Sequence, residues 1–285
     1  MSHTRQIHQQ AIDWLEQGQS AVVVEVIEIK GSTPREAGAR MLVSTDALGG
    51  TIGGGHLEWQ ALALARQALA ESRAHSRPVA AWEQSFALGP TLGQCCGGAL
   101  TLRFSPLSAA TLAQWTAPQP RFHLELHGAG HVGQAIIRHL SQVDCTVRWM
   151  DQRSDDMPEA GCGLPSADTL AALPSHIQWI ETEQPEAEVA AAPANAYHLV
   201  LTHRHDLDLR LVQAILTHGS FEFLGLIGSA TKHAQFKRRL SERGFTEDQI
   251  ARITCPIGLP GIAGKEPDVI AISVVAQLLQ HSSPA

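Results

Sequence analysis

The stretch Gly128-Ala129-Gly130-His131-Val132-Gly133 constrains the fold more than any other part of this chain. An apolar run at 122–126 precedes it and an amphipathic run at 132–140 follows it. The G-x-G-x-x-G spacing therefore falls on a strand-to-helix turn rather than in a random loop. Each glycine has a physical task there. The first permits the tight turn, the second lets a phosphate approach the backbone, and the third lets helix and strand pack closely. The helix start behind them supplies amide donors and a favourable dipole for an anion. Asp151 closes the next predicted strand, at the place where a dinucleotide fold sets an acid against a ribose.

The pattern around that turn agrees with it. Strands are predicted at 122–126, 146–150, 177–180, 198–201 and 222–227, and helices at 132–140, 207–217, 232–243 and 267–280. Strands alternating with helices build a parallel sheet, so this part reads as a Rossmann-like domain. Its ligands are expected beyond the carboxyl ends of the strands. The Gly128 loop, His203 and Ser229 all fall on that edge, and Cys255 is expected to approach it. Asp206 is placed as the N-cap of the helix after 206, which weighs against reading His203, His205, Asp206 and Asp208 as a metal cluster. Ser229 is read either as part of a phosphate loop or as a helix cap.

The first third has a different rhythm. An N-terminal helix leads to a β-branched strand at 21–29. Further strands are expected at 40–43, 78–86 and 99–104, with a helix over 56–69. Three glycine-rich loops interrupt these elements: Gly31-Ser32-Thr33-Pro34-Arg35, Gly49 to Gly55, and Leu92-Gly93-Gln94-Cys95-Cys96-Gly97-Gly98. The fold class is therefore α/β. A small α+β domain over 1–105 and a linker over 106–120, carrying one short helix, precede a Rossmann-like parallel-sheet domain over 121–285.

Adjacent cysteines within glycines are open to thiolate chemistry, because small neighbours leave the sulfurs accessible. Gly53, Gly54 and Gly55, just ahead of a helix, read as a second amide nest for an anion or as a plain helix start. Glu58 falls in the first turn, where a carboxylate is favourable without any further role. Arg35 offers a planar, permanently charged fork suited to phosphate or a heterocycle.

Composition narrows the function classes. Of 285 residues, 44% are apolar and 17% charged, which is a globular profile. A formal net charge of −7 argues against general nucleic-acid binding. No apolar run reaches membrane-spanning length, and residues 1–19 carry His and Gln in place of a leader's apolar core. With five cysteines and no export signal, reduced thiols and a cytoplasmic location are expected. Cys145 and Cys162 are read as structural or incidental, and the fifteen histidines form no HExxH pattern.

Taken together, the loops resemble the XdhC/CoxI family of accessory factors for molybdenum hydroxylases such as xanthine dehydrogenase. The matching residues run in order along the chain: Gly31 to Arg35 with Gly38-Ala39, Thr51 to Gly55 with Glu58, Gln94 to Gly98, and Gly128 to Gly133. Thr202-His203 with Asp206, Leu226 to Ser229 and Cys255 to Leu259 complete the series. The resemblance implies a protein that binds molybdenum cofactor (molybdopterin), assists its sulfuration and passes it to an apo molybdenum hydroxylase. A cysteine desulfurase and a second copy of the chain are the other implied partners. On that reading Cys95 or Cys96 faces the metal, soft ligand to soft centre, or relays sulfur as a persulfide. Arg35, Gly53, Gly54, Gly55, Gln94, Gly128, Gly130, His131, Gly133, Asp151, His203 and Ser229 are the expected cofactor contacts. The alternative from the residues themselves is an NAD(P)-dependent oxidoreductase built on the Gly128–Gly133 loop.

Overall fold

A computed structural model describes residues 3–88, 97–115, 119–152 and 163–282. Cys95, Cys96, Gln94 and Cys162 lie outside the described residues. The chain divides into two compact units between Pro118 and Gln119, and each is taken by itself.

The first unit is a five-stranded antiparallel sheet with spatial order β3-β2-β1-β5-β4. The strands are β1 (Ala21–Lys30), β2 (Arg40–Ser44), β3 (Leu48–Gly50), β4 (Trp82–Ala87) and β5 (Ala99–Pro106). The central strand β1 starts with a fully buried run, Ala21 to Val24, because both of its faces are covered. Its alternation divides the core in two. Val22, Val24 and Val26 pack with Leu57, Ala61, Ala65 and Leu69, the i, i+4 stripe of helix α2 (Gly55–His75). Ala21 and Val23 pack instead with Ile7, Ala11 and Trp14 of helix α1 (His3–Glu16). Each leucine so buried contributes about 1.5–3 kcal/mol. The segment expected as a linker carries helix α3 (Ala109–Ala113), capped by Ser108. It also carries Trp115, which is buried in the α1 core. The Arg40 guanidinium lies 4.8 Å from the Trp115 ring.

The second unit is a six-stranded, all-parallel sheet with order β11-β10-β9-β6-β7-β8. Its strands are β6 (His123–His127), β7 (Thr146–Asp151), β8 (Ile177–Glu181), β9 (Tyr197–Val200), β10 (Phe223–Leu226) and β11 (Ile253–Thr254). The chain moves outward from β6 through β7 to β8, then returns to the other side of β6 with β9. That reversal opens a crevice beyond the carboxyl ends of β6 and β9, the Rossmann switch point.

Helices α4 (His131–Leu140) and α10 (Pro267–His281) cover the face carrying Leu124, Leu126 and Leu199. Helices α7 (His205–His218) and α8 (Ala230–Glu242) cover the face carrying Val200, Leu224 and Leu226. Short α5 (Ala167–Ala171), α6 (Pro185–Glu188) and α9 (Glu247–Ala251) complete the set. Sequence periodicity does not reveal β3, α5, α9 or β11, since elements of two to five residues complete no repeat. No helix among the described residues is long and apolar enough to cross a membrane.

Candidate functional site

In the first unit the Gly53 loop packs on Pro34 and Arg35, and the Gly98 loop packs on Lys30 to Ser32. A Cβ on Gly53 would stand 2.6 Å from Pro34 Cβ and 3.4 Å from Arg35 Cγ, and Gly53 has φ +122°. Only glycine serves there. On the other side of the same loop, a Cβ on Gly98 would stand 2.3 Å from the Ser32 carbonyl and 2.6 Å from that of Lys30. Gly31 to Arg35 thus runs against both neighbouring loops. Thr33 Oγ1 donates to the Arg35 carbonyl at 3.0 Å. The guanidinium is partly exposed and, among the described residues, pairs with the exposed Glu36 carboxylate at 3.3 Å.

The expected anion nest at Gly53 to Gly55 is largely filled by the chain itself. Glu58, in the first turn of α2, accepts the N–H groups of Ile52 and Gly54, each at 3.1 Å, and the Thr51 hydroxyl. Gly53 N–H goes to Thr51 Oγ1 at 3.1 Å. A carboxylate accepting several donors is a strong, charge-assisted tie. Glu58 therefore closes this helix start, a larger role than its sequence position implied.

The Gly128 loop differs. Gly128 has φ +126°, and a Cβ there would meet the Leu201 carbonyl at 2.3 Å, so β6 and β9 require glycine at the crevice floor. Gly133 is pressed on the Gly128 carbonyl in the same way. Asp151 is buried, and its Oδ2 accepts the Ala129 N–H at 2.6 Å. The acid expected on a ribose thus spends one oxygen on the loop. Trp149 Nε1 donates to the Gly128 carbonyl at 3.1 Å, and Gln134 Nε2 to that of Ala129 at 3.0 Å.

What remains is the helix start. Gly130, the N-cap residue of α4, has an ordinary φ of −68°, and nothing lies within 4 Å of the Cβ it lacks. Neither strain nor packing among the described residues demands glycine there, and the N–H groups of Gly130, His131 and Val132 have no acceptor among the described residues. Unpaired amides at a helix N-terminus suit a phosphate. His131, the first residue of the helix, is exposed.

The neighbouring loops on this edge are held by a buried ion pair that sequence reading did not single out. Asp208 is fully buried. Its Oδ1 accepts the Thr202 N–H at 3.0 Å and the Thr202 hydroxyl at 2.7 Å, and its Oδ2 meets Lys232 Nζ at 2.6 Å. Lys232 Nζ also donates to the Ile227 carbonyl at 2.7 Å. One carboxylate therefore joins the loop after β9 to the loop after β10. Asp206 is not the cap of α7. That position is Arg204, and Asp206 sits exposed in the first turn, paired with Arg204 and Arg210, which hold its carboxyl below the usual range. With Asp208 and Asp206 so engaged, no metal-binding group forms among the described residues.

His203 is exposed beside Arg204. Ser229 caps α8, accepting the Lys232 N–H at 3.3 Å. Cys255 does reach this place. A Cβ on Gly228 would lie 3.3 Å from Cys255 Sγ and 2.7 Å from Lys232 Cδ. Burial pushes the Cys255 thiol up, against the pull of the Lys232 ammonium, which makes it a poor nucleophile at neutral pH.

A second feature missed from sequence lies beneath the Gly128 loop, on the face opposite α4. Glu125, His127 and His198 are buried polar residues on neighbouring parallel strands. Arg148 Nη1 lies 3.1 Å from both Glu125 oxygens, and His123 Nε2 lies 2.8 Å from Oε1. His127 and His198 meet edge to edge, with nearly parallel ring planes and centroids 5.7 Å apart. Burial depresses both, His127 well below its ordinary value and His198 to about 3. A buried polar residue within a strand run gives no periodic signal, so only the packed sheet reveals this layer.

Comparison with known proteins agrees with this architecture. Residues 124–278 match the XdhC Rossmann domain, and residues 14–78 match the XdhC and CoxI family. The uncharacterized protein YqeB of Escherichia coli (strain K12) is 30% identical over 275 residues, covering 95% of this chain and 45% of YqeB. The chain thus spans about half the length of that relative. The crystal structure of a protein from Bacillus halodurans described as a xanthine dehydrogenase superposes with a TM-score of 0.72. The match covers 99% of this chain and 96% of that one at 19% identity, a likeness of fold. With its second unit matched almost end to end and its first unit matched in part, the chain belongs to the XdhC and CoxI family.

Proposed function

We propose that this chain is an accessory factor that binds molybdenum cofactor as cargo, assists its sulfuration and delivers it to an apo molybdenum hydroxylase of the xanthine dehydrogenase type. Family membership supports the cofactor-handling part of this reading. The observation that carries it is the packing of the Gly31–Arg35 loop against both neighbouring glycine loops, with the Arg35 guanidinium paired among the described residues to an exposed carboxylate. Molybdenum cofactor is a pterin with a dithiolene and an anionic phosphate tail. A planar cationic fork suits the pterin or the phosphate.

Gly130, His131 and Val132 offer a phosphate site at the start of α4. Cys95 and Cys96 supply the thiols. One of them faces the metal, or accepts sulfane sulfur from a cysteine desulfurase as a persulfide. His203 and Ser229 line the route beside the Gly128 loop. Pairing of two copies and a cytoplasmic location, where these thiols stay reduced, belong to the same proposal.

Protein isolated from cells that make molybdenum cofactor is expected to release a fluorescent pterin on oxidation. Cys95→Ala, Cys96→Ala and Arg35→Ala are each expected to lower that yield several-fold. Wild-type protein that stays pterin-free beside a cofactor-loaded hydroxylase in the same cells would sink the proposal. An NAD(P)-dependent oxidoreductase is the second reading, favoured by the glycine geometry of the Gly128 loop and the acid at Asp151. Saturable heat on titrating NAD or NADP, from protein that carries no pterin, would decide for it.

A further inference from the structure

The polar layer under the Gly128 loop is the largest group of buried titratable side chains that the proposed function leaves unused. His127 is the last residue of β6, so its backbone is continuous with Gly128. Its carbonyl also accepts the Leu201 N–H at 2.9 Å, which ties β6 to β9 at the crevice. Its ring is 1% exposed, and that of His198 is fully buried. His127 Nε2 lies 3.4 Å from His198 Nδ1, and the planes stand 10° apart. The other nitrogen of each ring, His127 Nδ1 and His198 Nε2, is buried without a hydrogen-bond partner. Two neutral imidazoles meeting edge to edge can share one hydrogen bond, because one donates and the other accepts. Two imidazoliums cannot, since both nitrogens of each ring would then be donors.

The surroundings offer no relief for a new positive charge. On β6, Glu125 already faces Arg148 and His123. On β7, Arg148 adds a positive charge of its own, and its other partner is Glu188 of α6. From the end of α7, His218 also bears on His198, and the Phe221 ring meets His198 edge-on. Burial is the largest cause holding both imidazoles neutral. His198 adds to it at His127, His123 and His218 add to it at His198, and Arg148 acts on both.

We propose that the His127–His198 pair is a proton-sensitive pin under the Gly128 loop, so that proton uptake by the two rings opens the carboxyl ends of β6 and β9 and loosens the anion site. The opening belongs to this chain's own residues and holds whatever the loop carries. If the loop holds the phosphate of the proposed cargo, acidification is the signal that releases it, and that last clause alone rests on the functional reading above.

The sign follows from linkage. Burial favours the neutral form of both rings in the folded sheet, whereas rings freed into water take up a further proton each below about pH 6.5. The open state therefore gains population as pH falls. With two protons taken up, the opening constant rises as much as about 100-fold per pH unit, and with one about tenfold.

Hydrogen exchange of the apo protein between pH 7.5 and 5.0, corrected for the intrinsic pH dependence of amide exchange, reads this directly. Peptides spanning 124–134 and 197–203 are expected to lose protection below pH 6.5, ahead of the peptides of β7 and β8. His198→Gln, which cannot titrate, is expected to reduce the slope from the two-proton toward the one-proton value. Since that variant also removes the ring contact, His127→Gln provides the same test from the other ring. A corrected protection that does not change with pH overturns the proposal. Equal loss across every strand of the second unit overturns it too, because the pair would then set only global stability. Both readouts are independent of cargo, so pterin-free protein that opens as expected would count against the cargo and leave the pin standing.

Discussion

Two of the chain's helices, α2 and α4, begin on glycines, and the two helix starts behave in opposite ways. At Gly53 to Gly55 the fourth helical residue is Glu58, whose carboxylate turns back and takes the amides of Ile52 and Gly54. At Gly128 to Gly133 the fourth helical residue is Gln134. Its amide donates to the carbonyls of Ala129 and Gly163 and takes none of the first amides of α4. A carboxylate can only accept, and so competes with any anion for the same N–H groups. A carboxamide that donates to carbonyls does not. Glu58 thus occupies amides just ahead of α2, whereas Gln134 at the matching position takes none of those ahead of α4.

Substitutions can break that contrast, beginning with the largest effect. Gly128→Ala forces a Cβ into the Leu201 carbonyl at a φ that L-residues avoid, where neither backbone can yield cheaply. It is expected to cost upwards of about 4 kcal/mol, seen as loss of the second unit's cooperative thermal transition. Asp208→Ala leaves the Lys232 ammonium buried without its carboxylate and the Thr202 N–H without its acceptor. About 3–5 kcal/mol is expected from chemical denaturation, and a loss below about 1 kcal/mol would show that the pair does not hold the two loops together.

Glu58→Gln keeps the shape but removes the charge from three hydrogen bonds, at about 1–2 kcal/mol. It is also expected to create a weak phosphate site in the first unit where none is measurable before. Gln134→Glu is the converse. It is expected to lower affinity for inorganic pyrophosphate in the second unit at least tenfold by calorimetry, with about 1 kcal/mol lost in stability. Gly130→Ala is expected to change stability by less than about 0.5 kcal/mol, since its Cβ meets nothing. It should still weaken pyrophosphate binding, and unchanged affinity would mean that this helix start is not where the anion sits.

The legible parts of this protein were those with a long period. Strands β6, β7, β9 and β10 and helices α2, α4, α7, α8 and α10 stand where alternation and helical spacing put them, within a few residues. The glycine motif was legible because its spacing follows from backbone geometry that only glycine permits. The linker expected over 106–120 was not legible as packed structure. Its apolar content is sparse, yet Leu107, Leu112 and Trp115 each find a place against α1 and β1. Asp206 and Asp208 show the same limit at the site. Two residues apart on α7, one is exposed among arginines and the other fully buried under two loops. Their order along the chain does not say which carboxylate turns inward, because that depends on Lys232, which arrives from a different helix.

Periodicity and glycines with no sterically allowed substitute were enough for the two-part architecture, the parallel sheet and the edge that carries the Gly128 loop. Strand order, and which polar groups are spent or remain available, came only with packing. Asp151 closed on Ala129, Glu58 on Gly54, Asp208 on Lys232, while His127 met His198 from a strand 71 positions away. Hydrogen bonds and ion pairs act over about 3 Å. Partners distant in the chain become partners only once the sheet has brought them within that reach.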